Sequence, residues 1–229
     1  MELERITELT RVAYNRIAQK YHECFREEML QKPYDRRVLD EFSDSLPENS
    51  LICDAGCGPS GHIGQYLHDR GHRITGIDIS ERCIEMASHL NPAMTFQVMD
   101  MMNTDFDADS FDGLIAFYSI IYTPREHAPG LFGEFHRILK PGGKLLVVVK
   151  KGEQEGLLND EWYEGTEVYF THFLEADLTG YCRLKGLTVL SVETRCPYPF
   201  EIAVDRIYLS AAKPRTPELS VRDVTRRPP

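Results

Sequence analysis

The sequence predicts an α/β fold built on a largely parallel sheet, and three observations carry that reading. From about residue 50 to residue 149, short apolar runs alternate with segments of helical length and polarity, which is the pattern of strands joined by crossover helices. The first run, LICDAGCGPSG, ends in Asp54 and then breaks at Gly56, Gly58 and Gly61 just before a helix-like segment. A length of 229 residues suits one such domain with a cover and a substantial core.

Taken in order, the elements begin with apolar residues at Leu3, Ile6, Ala13, Ile17, Tyr21 and Cys24 or Phe25, a helical stripe reaching about Leu30. Pro33 opens a second helix carrying Val38, Leu39, Phe42 and Leu46, because proline is tolerated in a first helical turn. Residues 1–48 therefore read as an N-terminal helical cover. Alternation follows over residues 49–213: strand 50–54, helix 61–70, strand 73–78, helix 80–90, strands 95–99 and 112–117, helix 127–139, strand 143–149. After Lys150 the polar, aromatic stretch KKGEQEGLLNDEWYEGTEVYFTHF reads as a lid or pocket wall. A helix at 174–185 and strands at 187–195 and 203–212 complete the pattern. The segment from 214 to 229 is proline-rich and aperiodic, which predicts a flexible tail.

The glycine turn has the chemistry of a nucleotide site. Gly56 and Gly58 can take backbone angles closed to other residues, so a ligand can lie directly on the main chain. The following helix aims its unpaired amide groups at the same place. Asp54 suits a ligand with an ammonium or sulfonium better than a pyrophosphate. Asp78 ends the second strand, seventeen residues after Gly61, where a carboxylate accepts from ribose hydroxyls of either NAD or an adenosyl ligand. Asp100 follows the third strand and can accept from an adenine amino group. The alternative for each acid is a surface carboxylate capping the next helix.

These residues together resemble the class I S-adenosylmethionine-dependent methyltransferases, in the small-molecule branch with a helical cover. FDGLIAFYSIIYTP (111–124) is similar to the family's fourth strand and substrate-side loop, and EFHRILKPGGKLLVVV (134–149) to its helix, Pro-Gly-Gly turn and fifth strand. The resemblance covers about residues 14–213. It implies a Rossmann-like, seven-stranded, mostly parallel sheet with a reversed last strand and helices on both faces. It also implies S-adenosyl-L-methionine as cofactor, held by Tyr14, Tyr21, Asp54, Ala55, Gly56, Cys57, Gly58, Asp78, Ile79, Asp100, Met101 and Phe117. Tyr14 and Tyr21, seven apart, share one helix face and can equally be packing residues.

The acceptor is expected beyond the strand ends, against Tyr118, Tyr122, Trp162, Tyr163, Tyr169, His172 and Arg206. His172 and Tyr122 are the candidate catalytic residues. His172 has a side chain suited to proton abstraction near neutral pH, or it is a strand histidine satisfied by backbone groups. Relatives often carry a histidine near Tyr122, so that role does not carry over to this chain. Trp162 can stack on a flat acceptor or pin its loop to the body. His62 can shape one end of the pocket.

Composition narrows the partners. A formal net charge of −10 disfavours nucleic acid, whose binding needs basic groups against phosphates. No apolar run is long enough to cross a bilayer, and MELERITELTR does not read as a secretory signal. Six cysteines without a CxxC pair fit reduced thiols in a cytoplasmic protein, and no Asp, Asn and His cluster points to a metal. The expectation is a cytoplasmic monomer or homodimer that methylates an oxygen or nitrogen of a small metabolite. The alternatives are a methyltransferase-fold enzyme running a non-methylating reaction, an NAD-dependent reductase, for which no Tyr-x-x-x-Lys pair follows at a plausible place, and a non-catalytic binding subunit.

Overall fold

A computed structural model describes residues 2–215, so the predicted tail from 216 onward lies outside the described residues. The elements are α1 (Leu3–Phe25), α2 (Pro33–Asp44), β1 (Leu51–Ala55), α3 (His62–His68), β2 (Arg73–Asp78), α4 (Glu81–Leu90), β3 (Thr95–Val98), β4 (Phe111–Phe117), α5 (Ala128–Ile138), β5 (Leu139–Lys150), β6 (Glu155–Asn159), β7 (Glu167–Thr171), α6 (Glu175–Leu184), β8 (Thr188–Arg195) and β9 (Arg206–Ala212). Seven strands form one sheet in the order β3-β2-β1-β4-β5-β9-β8. Strands β3 through β5 are parallel, and β9 runs antiparallel to both its neighbours. The order reverses between β1 and β4, where open α/β sheets leave a crevice at the carboxyl ends of their strands.

Each face of the sheet is buried by helices because alternate strand residues point to opposite sides. On one face Cys53, Leu114, Val147 and Leu209 pack with Phe132 and Phe135 of α5 and Leu178 of α6. On the other, Ile52, Ile115 and Val148 pack with Val38, Leu39 and Phe42 of α2 and Ile63 and Leu67 of α3. A third cluster joins Ala13 and Ile17 of α1 to Tyr163 and to Val168 of β7. It seats α1 and the β6–β7 hairpin over the crevice. No helix among the described residues is long and apolar enough to cross a membrane.

Three boundaries differ from the expectation. α1 stops at Phe25, and a single 3-10 turn at Glu28–Leu30 replaces its predicted end. That turn carries Glu28 inward to His62 and Lys32. The polar stretch after Lys150 contains a two-stranded hairpin, β6 paired with β7, separate from the main sheet. β5 takes in the Pro-Gly-Gly segment: Gly142 donates its N–H to Lys213 O at 2.8 Å and Gly143 O accepts from Lys213 N at 3.0 Å, so β5 abuts α5 directly.

Candidate active site

The turn after β1 is bound to β2 by its own amides, with Gly56 N and Cys57 N both donating to Ile77 O at 2.8 and 3.0 Å. Gly56 has φ +79°, and a Cβ there would lie 2.3 Å from Ser119 Cβ. Only glycine lets the turn pass this close to the loop after β4. At Gly58, φ is +63° and an added Cβ would meet nothing nearer than Tyr21 at 3.9 Å, which leaves open space over the main chain.

Asp78 closes the turn from the other side. Its Oδ2 accepts from Gly58 N at 3.0 Å and its Oδ1 from Ser80 N at 2.9 Å. Burial pushes its carboxyl up to about 6 despite these donors. Asp54, 2% exposed, accepts from Gly64 N at 3.1 Å, in the first turn of α3. Burial pushes it up to about 7, with the Asp78 charge adding and His62 and the Gly64 N–H opposing. Two carboxyls this far from their ordinary range, side by side in one cleft, mark a place made for a ligand that restores their charge. Asp100, two residues past the end of β3, accepts from Met102 N at 2.8 Å and faces the same cleft.

The cleft encloses about 1020 Å³, mouth included, and is walled by the glycine turn, the three acids, Met101 and Phe117, with Tyr14 and Tyr21 of α1 on its cover side. Two buried polar atoms on its lining have no partner among the described residues, Ser119 Oγ and His62 Nδ1. Buried polar groups are ordinarily paired, so both point to a polar ligand. Bare glycine backbone, acids at the ends of successive strands and an orphaned hydroxyl together fit an adenosyl ligand carrying an amino acid end.

A second, wider chamber, about 1790 Å³ with its open mouth included, adjoins the cleft and shares Tyr14, Tyr21, Glu28, Tyr118 and Tyr122 with it. A row of hydroxyls runs from the shared wall into the second chamber: Tyr14 OH lies 2.6 Å from Tyr122 OH, which lies 3.1 Å from Tyr163 OH. Burial pushes Tyr122 up to about 12 and raises Tyr14 well above the ordinary phenol range, so the row is neutral. Tyr118 holds a left-handed backbone at φ +57°, a conformation that costs a non-glycine residue about 1–3 kcal/mol and that clusters at ligand sites. Its ring lines both cavities.

Of the residues expected at the cofactor, all but Ala55 line the first cavity; Ala55 is fully buried beneath the turn. Tyr118, Tyr122, Trp162, Tyr163 and Arg206 line the second. Trp162 both walls the chamber and pins its loop, since Lys20 Nζ donates to its carbonyl at 2.9 Å and lies 4.5 Å from the ring centre. Tyr169 and His172 are not brought to the site, since neither lines either of these two cavities. Tyr169 sits on the hairpin near Glu155, and the His172 ring packs edge-on to Phe170 at 5.3 Å and against Gly152. Burial and the cations Lys150, Arg206 and Arg125 lower the His172 pKa, and the catalytic assignment loses its geometric basis. Sequence reasoning missed Glu28, Lys32, Lys150 and Glu201, and took in Ser119 only as part of the loop 111–124. The pair Glu28 and Lys32, four apart beside a helix break, was the one available signal.

A seven-stranded sheet of this order, with the glycine turn and successive acids at its switch point, defines a nucleotide-type ligand site in a methyltransferase-like α/β domain. Residues 52–143 match the family described as methyltransferase domain. The chain is 30% identical over 112 residues to a sterol 24-C-methyltransferase of Kluyveromyces lactis, covering 46% of this chain and 30% of the relative. It is 34% identical over 108 residues to a 2-methyl-6-phytyl-1,4-hydroquinone methyltransferase of Synechocystis, covering 45% and 33%. The chain thus spans about a third of the length of these relatives. A solved SAM-dependent methyltransferase from Methanosarcina mazei shares the fold at TM-score 0.68 and 21% identity, over 76% of this chain and 96% of that one. Over residues 52–143 the chain is therefore similar to methyltransferases, with a fold shared with a SAM-dependent one, and the residues of the cleft fit S-adenosylmethionine.

Proposed function

We propose that this protein is an S-adenosylmethionine-dependent methyltransferase acting on an oxygen or nitrogen of a small-molecule acceptor. The observation that carries the reading is the junction of the two cavities: the ligand cleft opens, across Tyr14 and Tyr122, onto a chamber with room for a second molecule. When bound, the cofactor would supply an activated methyl group on a sulfonium: an acceptor lone pair would bond to the methyl carbon in line as the S–CH3 bond breaks and neutral S-adenosylhomocysteine leaves. The protein's part is to position and to exclude water, and holding two reactants in register can supply several kcal/mol of the barrier. Asp78 would hold the ribose, Asp100 the adenine edge, and Asp54 the cationic end. Tyr14, Tyr122 and Tyr163 orient the acceptor through a neutral hydroxyl row and carry no charge to it.

The K. lactis relative, by its name, methylates carbon. A wholly apolar acceptor would here leave the chamber's Lys32, Lys150 and Arg206 desolvated against hydrocarbon, at a cost that polar acceptor groups remove. The chamber therefore favours a polar small molecule. Incubation with methyl-labelled S-adenosylmethionine and a small-molecule extract, followed by mass spectrometry, tests this. Labelled products carrying the methyl on oxygen or nitrogen are expected; label on carbon alone, or none, contradicts the reading.

A further inference from the structure

The second chamber carries more buried positive charge than its carboxylates neutralise. Lys150 of β5 stands directly opposite Arg206 of β9, and Arg206 directly opposite Arg195 of β8, so three cations lie abreast across the sheet edge of the chamber. Like charges in opposed positions repel, and a fold keeps such a row only with compensation. Arg195 has it, from Glu201 at 2.8 Å and Asp35 at 3.4 Å. Arg206 reaches Glu201 at 3.7 Å and donates to the carbonyls of Ile202 and Val204. Lys32 adds a further cation and is held by Glu28 at 2.6 Å and Glu201 at 3.4 Å.

Lys150 has no carboxylate within 4 Å among the described residues. Burial, then the charges of Arg206 and Lys32, all press on its ammonium. Its neighbour Lys151 meets Glu175 at 2.6 Å, so a carboxylate was within reach of this stretch and serves the other side of the strand. The buried carboxylates near the chamber are spent: Glu28 on Lys32 and His62, Glu201 on Arg195, Arg206 and Lys32, and Asp35 on Arg195 and Tyr208. At the rim Glu23, Arg26 and Glu27 are exposed, where water screens them. β5 is apolar from Leu145 to Val149, and a sixth apolar residue would pack there at no electrostatic cost.

We propose that Lys150, supported by Arg206 and Lys32, anchors an anionic group of the acceptor, a carboxylate or a phosphate, in the second chamber. The inference rests on the reading of that chamber as the acceptor site and names the class of molecule it takes: a small acid whose body lies among Phe25, Tyr118, Trp162 and Tyr163. A half-buried ammonium with no carboxylate partner among the described residues binds an anion through charge-assisted hydrogen bonds and discriminates against a neutral isostere.

Three probes test this on the full chain: salicylate, phenyl phosphate and the neutral salicylamide, followed by fluorescence of Trp162, the single tryptophan. Titrations run with and without saturating S-adenosylhomocysteine. At least one anion is expected to bind about tenfold more tightly than salicylamide, and the preferred anion identifies the group. Lys150→Gln is expected to weaken that anion about tenfold, to leave salicylamide unchanged, and to keep or raise the melting temperature as repulsion from Arg206 is relieved. Lys150→Arg is expected to retain anion binding. Equal binding of amide and anions, no binding of either anion, or an unchanged anion affinity in Lys150→Gln overturns the proposal. Absence of S-adenosylhomocysteine binding instead overturns the methyltransferase reading, and the titrations run without it still judge the anion site alone.

Discussion

Lowering the pH is expected to weaken cofactor binding steeply, because the cleft of the free protein holds two carboxyls poised near neutrality. Asp54 is pushed up to about 7 and Asp78 to about 6, against ordinary values of 3.8. A raised carboxyl pKa favours the free fold below the unfolded value and loses that contribution as pH rises through the folded value, so the free protein is strained in this cleft at pH 8. A ligand that presents a cation to Asp54 and hydroxyls to Asp78 binds the ionised forms. Protonation must then be undone, and the affinity falls by about a hundredfold between pH 8 and pH 5.5, or close to 3 kcal/mol. Binding at pH 6 is expected to release about 1.4 protons, most of them from Asp54. Isothermal titration of S-adenosylhomocysteine in two buffers of different ionisation enthalpy measures both quantities. Asp54→Asn keeps an oxygen for the Gly64 N–H and is expected to reduce the pH effect to about fourfold, the share of Asp78. A flat affinity from pH 5.5 to 8 with no proton release would refute the reasoning.

Gly56→Ala is expected to lower the melting temperature by roughly 10 °C and to abolish cofactor binding, since the new Cβ meets Ser119 Cβ at 2.3 Å and the φ of +79° is strained for alanine. Ser119→Ala removes a buried hydroxyl that has no partner among the described residues, so the free protein keeps its melting temperature while cofactor affinity falls about three- to tenfold in calorimetry. Arg195→Met leaves Asp35, fully buried, and Glu201 without their main cation; chemical denaturation is expected to show a loss of about 3–5 kcal/mol.

The parallel sheet and the cofactor cleft were legible because both rest on short-range signals. Asp54, the three glycines and Asp78 lie within one strand-turn-helix-strand unit, where spacing alone brings them together. The second chamber depends on contacts distant in sequence: Lys32 meets Glu201, Lys150 stands opposite Arg206, and Tyr14 meets Tyr122 and Tyr163 through the covering helix and the hairpin. No local periodicity encodes those meetings. His172 lies just past the end of β7 and lines neither cavity, a placement that YFTHF does not state because strand ends and register are not written in so short a segment. The β6–β7 hairpin was missed because its strands are short and separated by the Trp162 turn rather than by a two-residue glycine turn.

The most direct test of the central claim is calorimetric titration of S-adenosylmethionine into the wild-type protein and into Asp78→Ala at pH 8. One-to-one binding at sub-millimolar concentration is expected for the wild type, weakened in the variant by about 10- to 150-fold as a charged hydrogen-bond acceptor is lost. No binding to the wild type, or an affinity unchanged in Asp78→Ala, would contradict the assignment of the cleft.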